Sequence, residues 1–243
     1  MESIIILLTG TIQVFDVPDL AMTDTDLRER EYFAAIKKWT RLNYPVIFCE
    51  NSNYDSGLIN EHVKNIDAQK FEYLKFGTKA SYLGKGHGEA EIINYVFDNS
   101  KLINDHTIIC KATGKNFVTN AGSICKEIAE SPIFQNLVIA ILTQNLTIAD
   151  SRFFFFRPAF YFNYWKHYLE EIDEANHQYM EHILAKAILA AVIAGEKWTL
   201  LPELPIVEGY FGTKGTKYKS GFFRGLFYNM LYWIAKKMAL GRK

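Results

Sequence analysis

The chain has 243 residues, of which 49% are hydrophobic, which is enough for one large domain with a sizeable apolar core. Its 27 basic and 27 acidic residues cancel formally, so no surplus of positive charge points to nucleic acid as a partner. The three cysteines are too few for a paired disulfide framework, and Cys49 and Cys110 lie in apolar runs. We therefore expect buried thiols in a reducing compartment.

The amino-terminal residues lack the pattern of an export signal. No basic residue precedes the apolar run 4–8, which is far shorter than a signal-peptide core or a membrane span. No stretch of 18 uninterrupted apolar residues follows. These features predict a cytoplasmic protein.

The first fifty residues predict a β-α-β unit. Residues 4–8 are continuously apolar, as in a strand buried on both faces, and a turn follows them. A helix over about residues 27–42, capped by Thr25 or Asp26, precedes a second strand at 46–49. Two strands joined through one helix imply a parallel crossover and an α/β fold.

The middle of the chain continues this alternation. Strands are predicted at 71–76, 107–110 and 137–142, with residues 116–118 as a possible extension of the second. Between the first two lie a glycine-rich loop at 84–89 and a helix at 90–100. The pattern from 163 to 194 is helical, and its second half is a buried helix at 179–193. A short extended piece at 206–207 then leads to a second glycine-rich loop at 209–215.

Polar and glycine-rich clusters follow the predicted strands, where open α/β sheets bind ligands. Glycine allows a nucleotide to approach the backbone, amide and carboxylate oxygens can bind a base or a ribose, and lysine can meet phosphate. Each cluster taken alone could be ordinary turn chemistry, but several on one rim suggest a nucleotide-sugar site. The candidates are Thr9, Gly10, Thr11, Glu50, Asn51, Lys85, Gly86, Lys111, Thr113, Gly114 and Lys115.

Asp150 is the foremost catalytic candidate. A carboxylate at a strand end can hold a divalent cation, Mn²⁺ or Mg²⁺, that bridges a pyrophosphate. Arg152, two residues on, could instead supply positive charge directly, or the two could form a structural salt bridge. The second glycine-rich loop could close on the same pyrophosphate, or be an ordinary hairpin connection. Its binding candidates are Gly212, Thr213, Lys214, Gly215 and Thr216.

A transferase also needs a group that takes a proton from the acceptor hydroxyl. The candidates lie after the aromatic run 153–165 and are Asp173, Glu174, His177 and Glu181, of which we single out Asp173 and Glu181. The alternative is that these carboxylates form a solvated helix face.

Several of these motifs resemble the small bacterial glycosyltransferases of O-antigen and capsule synthesis. The resemblance covers residues 4–218 and rests on the opening strand and turn, on Phe48 to Ser52, on the glycine-rich segment 84–89 and on the Asp-Ser-Arg-Phe-Phe element at 150–154. Residues 111–117 match a Lys-x-Thr/Ser-Gly-Arg-Tyr motif, with Lys115 in place of the more usual arginine. The family implies a GT-A-like fold with a mostly parallel sheet, a nucleotide-sugar donor (a UDP-sugar first), and a saccharide acceptor that is often lipid-linked.

Residues 219–243 form a second predicted unit, after the transferase domain 1–218. This tail is basic, aromatic and helical, which suits the anionic inner face of a membrane, although it could also pack on the domain or pair in a homodimer.

Two other functions remain open for the chain. One is a sugar nucleotidyltransferase, although the first loop lacks the usual arginine and lysine, and the other is a non-catalytic protein that binds nucleotide sugars or carbohydrates. A Rossmann oxidoreductase is disfavoured because no Gly-x-Gly-x-x-Gly opens the first helix.

Overall fold

The computed structural model describes residues 3–14, 22–79, 81–132 and 136–209. Their core is a seven-stranded sheet with the order β10-β6-β9-β4-β1-β2-β3. Its strands are β1 (Ser3–Gly10), β2 (Val46–Glu50), β3 (Phe71–Lys75), β4 (Thr107–Thr113), β6 (Val138–Ile139), β9 (Phe153–Phe156) and β10 (Trp198–Thr199). Two small antiparallel pairs complete the strands, β5 (Phe117–Val118) with β11 (Val207–Glu208) and β7 (Leu142–Thr143) with β8 (Ile148–Ala149).

The large sheet is mostly parallel. Strands β1, β2, β3 and β4 are parallel neighbours, and β6 is parallel to β10. Only β9 runs the other way, antiparallel to both β4 and β6. The predicted mixed α/β class and the parallel β1–β2 crossover are therefore confirmed. The predicted tail at 219–243 lies outside the described residues.

Helices cover both faces of the sheet. They are α1 (Thr25–Thr40), α2 (Gly57–Lys64), α3 (Lys85–Asn99), α4 (Ala121–Glu130), α5 (Pro158–Phe160), α6 (Lys166–Leu169) and α7 (Met180–Ile193). A π-helical segment, Tyr161–Trp165, joins α5 to α6, and 3₁₀ turns lie at Ser81–Leu83 and Glu174–Asn176. No helix among the described residues is long and apolar enough to cross a membrane.

Local chemistry corrects several predicted boundaries. Helix α1 begins two residues earlier than expected because Asp24, and neither Thr25 nor Asp26, accepts a hydrogen bond from the Leu27 amide at 2.8 Å. The glycine-rich segment 84–89 was expected to be a loop, but it forms the start of α3, with Gly84 as the N-cap. The predicted strand 137–142 is divided between β6 and β7, which belong to different sheets.

The alternation of side chains along the central strands divides the core into two layers. One face of β1 and β4 packs against α3 and α7, and the other packs against α1 and α4. The four phenylalanines of β9 are all buried and serve both layers, since successive residues point to opposite faces. All three cysteines are buried free thiols, which confirms the prediction for Cys49 and Cys110.

Candidate functional site

Three chain segments meet at one edge of the sheet, where the parallel strands end. The Gly114 amide donates to the Thr9 carbonyl at 2.8 Å, which ties the end of β4 to the end of β1. The Thr113 amide donates to the Arg152 carbonyl at 3.1 Å. Because β9 is antiparallel to β4, its first residues lie at this same edge and bring residues 150–152 there. The chain order turns from β1–β2–β3 to β4 at this point, which is where α/β sheets form a ligand crevice.

Glycine at the ends of β1 and β4 allows the backbone segments to approach each other. A Cβ on Gly114 would lie 2.7 Å from the Thr9 carbonyl oxygen. A Cβ on Gly10 would lie 2.7 Å from the rings of both Phe48 and Tyr32. These two predicted binding glycines are therefore required by packing, whatever ligand the edge binds.

Arg28 fixes the loop that follows β1. Its guanidinium is 4% exposed and donates to the carbonyls of Thr11, Ile12 and Met22. The Thr11 hydroxyl donates to the Asn51 side-chain oxygen at 2.6 Å, and the Asn51 amide group donates to the Gly88 carbonyl at 3.2 Å. The predicted residues Thr11 and Asn51 thus meet, and they link β1, β2 and α3.

Glu50 is fully buried at the end of β2. Its carboxylate accepts hydrogen bonds from the amides of Ser52 at 3.0 Å and Tyr54 at 2.9 Å. Burial raises the pKa of Glu50, and these hydrogen bonds oppose that rise. The carboxylate predicted to bind a base or a ribose therefore holds its own loop in this structure.

The N-terminus of α3 contacts a carboxylate of the chain. The Gly86 amide donates to Glu174 Oε1, and a Cβ on Gly84 would overlap the same carboxylate. Gly84 also has φ +114°, a conformation that favours glycine. The predicted binding residue Gly86 therefore binds the Glu174 side chain, and this contact holds the turn before α7.

Three cations form what we call the cation cluster: Arg28, Lys85 and Lys115. Lys115 is half-buried just beyond β4. Its pKa is lowered to about 8 by burial and then by the charges of Arg28 and Lys85, while the charge of Glu31 opposes this shift more weakly. Among the described residues, Lys115 has no hydrogen bond or ion pair. Lys115 therefore offers an ammonium group to which an anion such as a phosphate could bind.

A second set of groups, which we call the polar chain, crosses the edge beside α3. The Thr9 hydroxyl donates to Glu89 Oε1 at 3.0 Å, and Lys111 is ion-paired with the same carboxylate oxygen. The Lys111 ammonium also donates to the Ser151 carbonyl at 2.6 Å. The Ser151 hydroxyl donates to Glu181 Oε1 at 2.8 Å. Two candidate residues that are 70 positions apart, Lys111 and Glu181, are thus connected through one serine.

Asp150 and Arg152 form a bidentate ion pair. Arg152 Nε donates to Asp150 Oδ1 at 2.8 Å, and Nη2 donates to Oδ2 at 2.7 Å. The salt bridge that the sequence left open is thus present. Within the described ranges, no three His, Cys, Asp or Glu side chains cluster as metal ligands.

Asp173 is engaged in local structure. Its carboxylate accepts from the Asn176 side chain at 2.7 Å and caps the 3₁₀ turn, and these hydrogen bonds lower its pKa. The second glycine-rich loop begins beside the site, since a Cβ on Gly209 would overlap Asn116 Oδ1, next to Lys115. The predicted residues Gly212, Thr213, Lys214, Gly215 and Thr216 lie outside the described residues.

Three residues of the site do not appear among the candidates selected from the sequence. Arg28 lies 17 residues from the loop carbonyl of Thr11 that it binds, and nothing in the pattern of α1 distinguishes it. Glu89 and Ser151 lie inside the quoted glycine-rich and Asp-Ser-Arg motifs. Both could have been selected, since each is a polar residue of a motif that the sequence analysis had already identified.

No known protein family matches the chain, and no curated protein matches it. Its fold is similar to solved structures of low identity. A 4-diphosphocytidyl-2C-methyl-D-erythritol synthase from Anaerococcus prevotii is 10% identical with a TM-score of 0.44, and covers 96% of this chain and 98% of its own. An inositol-1-phosphate CTP transferase from T. maritima is 14% identical with a TM-score of 0.40, covering 88% and 90%. A nucleoside-diphosphate-sugar pyrophosphorylase from Vibrio cholerae is 12% identical with a TM-score of 0.45, covering 81% and 91%. Similarity at this level carries no argument about activity.

Proposed function

We propose that this chain is a transferase whose nucleotide substrate binds through its phosphates at the cation cluster. The observation that carries the proposal is Lys115, a half-buried ammonium beside Arg28 and Lys85 at the crevice edge of the sheet. The charges of Arg28 and Lys85 disfavour the charged form of Lys115, and a di- or triphosphate would supply negative charge that offsets this effect.

The first candidate reaction is glycosyl transfer from a nucleotide sugar. In such a reaction the leaving group is a nucleoside diphosphate, whose developing charge the cation cluster would stabilise. Glu181 lies at the same edge, connected through Ser151 to β4, and offers a carboxylate to the acceptor hydroxyl. The motif resemblance adds a saccharide acceptor, often lipid-linked, and a role in bacterial surface polysaccharide, with the basic tail 219–243 holding the enzyme at the membrane.

Nucleotidyl transfer, the activity in the names of several similar structures, is the second candidate. The number of cations favours it, because three positive groups could also hold a triphosphate and its pyrophosphate leaving group. Against it, residues 11–27, which include the loop after β1, contain no lysine or arginine. A cation in that loop would be needed to close over the triphosphate.

Nucleotide binding and reaction products together test these proposals. In a thermal-shift panel with UDP, GDP, CMP and dTDP, each with and without Mn²⁺, a bound nucleotide at about 100 times its Kd stabilises the fold by about 2.7 kcal/mol. We expect one diphosphate to raise Tm clearly, and the matching nucleotide sugar to release that diphosphate when an acceptor saccharide is present. Release of pyrophosphate from a nucleoside triphosphate and a sugar phosphate would instead establish nucleotidyl transfer. If no nucleotide shifts Tm, the transferase proposal is wrong.

A further inference from the structure

The polar chain contains one serine that contacts its neighbours through two different atoms. The Ser151 carbonyl accepts from Lys111, and the Ser151 hydroxyl donates to Glu181. Ser151 is 6% exposed, so the two contacts fix both its backbone and its side chain away from solvent. The position of the Glu181 carboxylate is therefore set from β4, through the turn before β9, and not by α7 alone.

The Lys111 side chain is buried and bonded to groups within the protein. Its side chain is 1% exposed, its ammonium is paired with Glu89, and it also bonds the Ser151 carbonyl. A buried ammonium is tolerated when an opposite charge and hydrogen bonds compensate for the water it has lost. Lys111 meets this requirement within the protein, so its charge is already satisfied before any phosphate binds.

The two carboxylates of the polar chain differ in the number and charge of the groups that they bind. Glu89 Oε1 is shared between the Thr9 hydroxyl and the Lys111 ammonium, which holds the carboxylate against β1 and β4. Glu181 is bonded only to a neutral hydroxyl through Oε1, and among the described residues its Oε2 has no partner. Glu181 is also partly exposed in the first turn of α7, two residues after the exposed Tyr179. Of the two, Glu181 can accept a proton from a molecule outside the protein.

The start of α7 also lies against the start of α3. A Cβ on Gly86 would lie 3.5 Å from the Met180 amide nitrogen, and Lys85 of the cation cluster is the neighbour of Gly86. The starts of these two helices are therefore close together. A donor bound at Lys85 would lie near the start of α7.

We propose that Glu181 is the general base of the transfer and that Ser151 and Lys111 are its positioning residues; this inference depends on the glycosyl transfer proposed above. The acceptor hydroxyl oxygen forms a bond to the anomeric carbon of the donor sugar, and its proton passes to Glu181 Oε2. The bond between that carbon and the phosphate oxygen breaks, and its electron pair leaves with the nucleoside diphosphate at the cation cluster. Protonated Glu181 returns the proton to solvent after the products leave.

Binding and turnover measured on the same variants test this assignment. Glu181→Gln preserves the side-chain size and can still accept from Ser151, so nucleotide affinity should stay within about twofold while kcat falls by about 100-fold or more. Glu170→Gln, on an exposed glutamate of the segment before α7, is the matched control and should leave kcat unchanged. In the wild type, kcat should rise with pH as one group deprotonates, and Glu181→Gln should remove that limb of the profile.

Ser151 allows the positioning role to be tested separately, because its carbonyl contact with Lys111 survives a change of side chain. Ser151→Ala should lower kcat by about tenfold with little change in KM for the donor, and should shift the pH limb. Ser151→Thr retains the hydroxyl and should restore both. Lys111→Met removes the contacts with both Glu89 and the Ser151 carbonyl, so it should lower kcat at least as much as Ser151→Ala does.

The outcomes separate the two proposals. If Glu181→Gln turns over at a rate near that of the wild type, the base assignment is wrong while the transferase remains. If Glu181→Gln loses nucleotide binding, the residue supports structure or donor binding and the assignment is again overturned. If the wild type binds no nucleotide, the proposed function fails, and this inference fails with it.

Discussion

The dependence of nucleotide affinity on pH is the sharpest consequence of the cation cluster. Lys115 has a pKa of about 8 because of its burial and the charges of Arg28 and Lys85. Only its protonated form can pair with a phosphate. Affinity should therefore be highest below pH 8 and fall as the pH rises through that value.

The size of the effect follows from the titration. With a pKa of about 8, roughly nine in ten molecules carry the charge at pH 7 and roughly one in ten at pH 9. The apparent Kd for the nucleotide should therefore rise by about tenfold between these two pH values. Lys115→Arg keeps its charge throughout this range, so its Kd should be nearly constant. Lys115→Ala should weaken binding by about 10- to 100-fold at pH 7, as expected for one charge-assisted hydrogen bond.

Isothermal titration calorimetry from pH 7 to 9 measures these affinities, with Lys126→Ala on the exposed face of α4 as the control. A wild-type Kd that is independent of pH, or a loss of affinity in Lys126→Ala equal to that in Lys115→Ala, would refute the assignment. Stability gives an independent check. The folded state disfavours the charged form of Lys115, so Lys115→Met should raise the free energy of unfolding at pH 7. The increase should be on the order of 1 kcal/mol, because solvent that still reaches the side chain screens part of the effect.

The remaining predictions concern other parts of the fold and the Asp150–Arg152 pair. Burial and the charge of Lys37 lower the pKa of His62, so the unfolded chain binds a proton more readily than the folded protein does. The free energy of unfolding should therefore fall as the pH drops below about 6.5. In urea unfolding at pH 5 and 7.5, His62→Phe should show a smaller difference in this free energy than the wild type. Gly114→Ala should lower stability by about 1–3 kcal/mol, whereas Gly57→Ala, whose Cβ meets nothing within 4 Å, should not; equal Tm values for the two would contradict the packing analysis. Asp150→Ala and Arg152→Met should each lower nucleotide affinity, and the loss in the double variant should differ from the sum of the two by a coupling energy on the order of 0.5 kcal/mol. Purely additive losses would count against a joint role of the pair. Loss of a Mn²⁺ effect in Asp150→Ala alone would also count against it.

The central strands and the edge of the site could be predicted from the sequence because their pattern is local. A continuous apolar run such as 4–8 can be buried on both faces only in a sheet covered by helices, and polar residues then mark where each strand ends. The same reasoning placed residues 150–152 at this edge for the wrong reason. They do not follow a parallel strand but precede the antiparallel β9, whose first residue lies opposite Ala112 near the end of β4.

The contacts inside the site could not be predicted, because they join residues that are distant in the chain. Whether Glu50 faces a ligand or its own loop depends on the amides of Ser52 and Tyr54, which no periodicity reveals. The glycines at 84 and 86 suggested a phosphate loop, yet they admit the carboxylate of Glu174, 88 residues beyond Gly86. Glycine identifies a place of close approach, but the approaching group is determined by the tertiary structure.

Lys111 and Lys115 show how the structure separates residues that the sequence treats alike. They lie four positions apart in one motif, and each is an ammonium withdrawn from water. Lys111 is compensated by Glu89 and by the Ser151 carbonyl, so removing its charge would leave those partners unsatisfied. Lys115 lies instead beside two further cations, so its charge lowers the stability of the fold and is retained at that expense. Folding alone therefore accounts for Lys111, whereas the position of Lys115 is consistent with the phosphate binding proposed above.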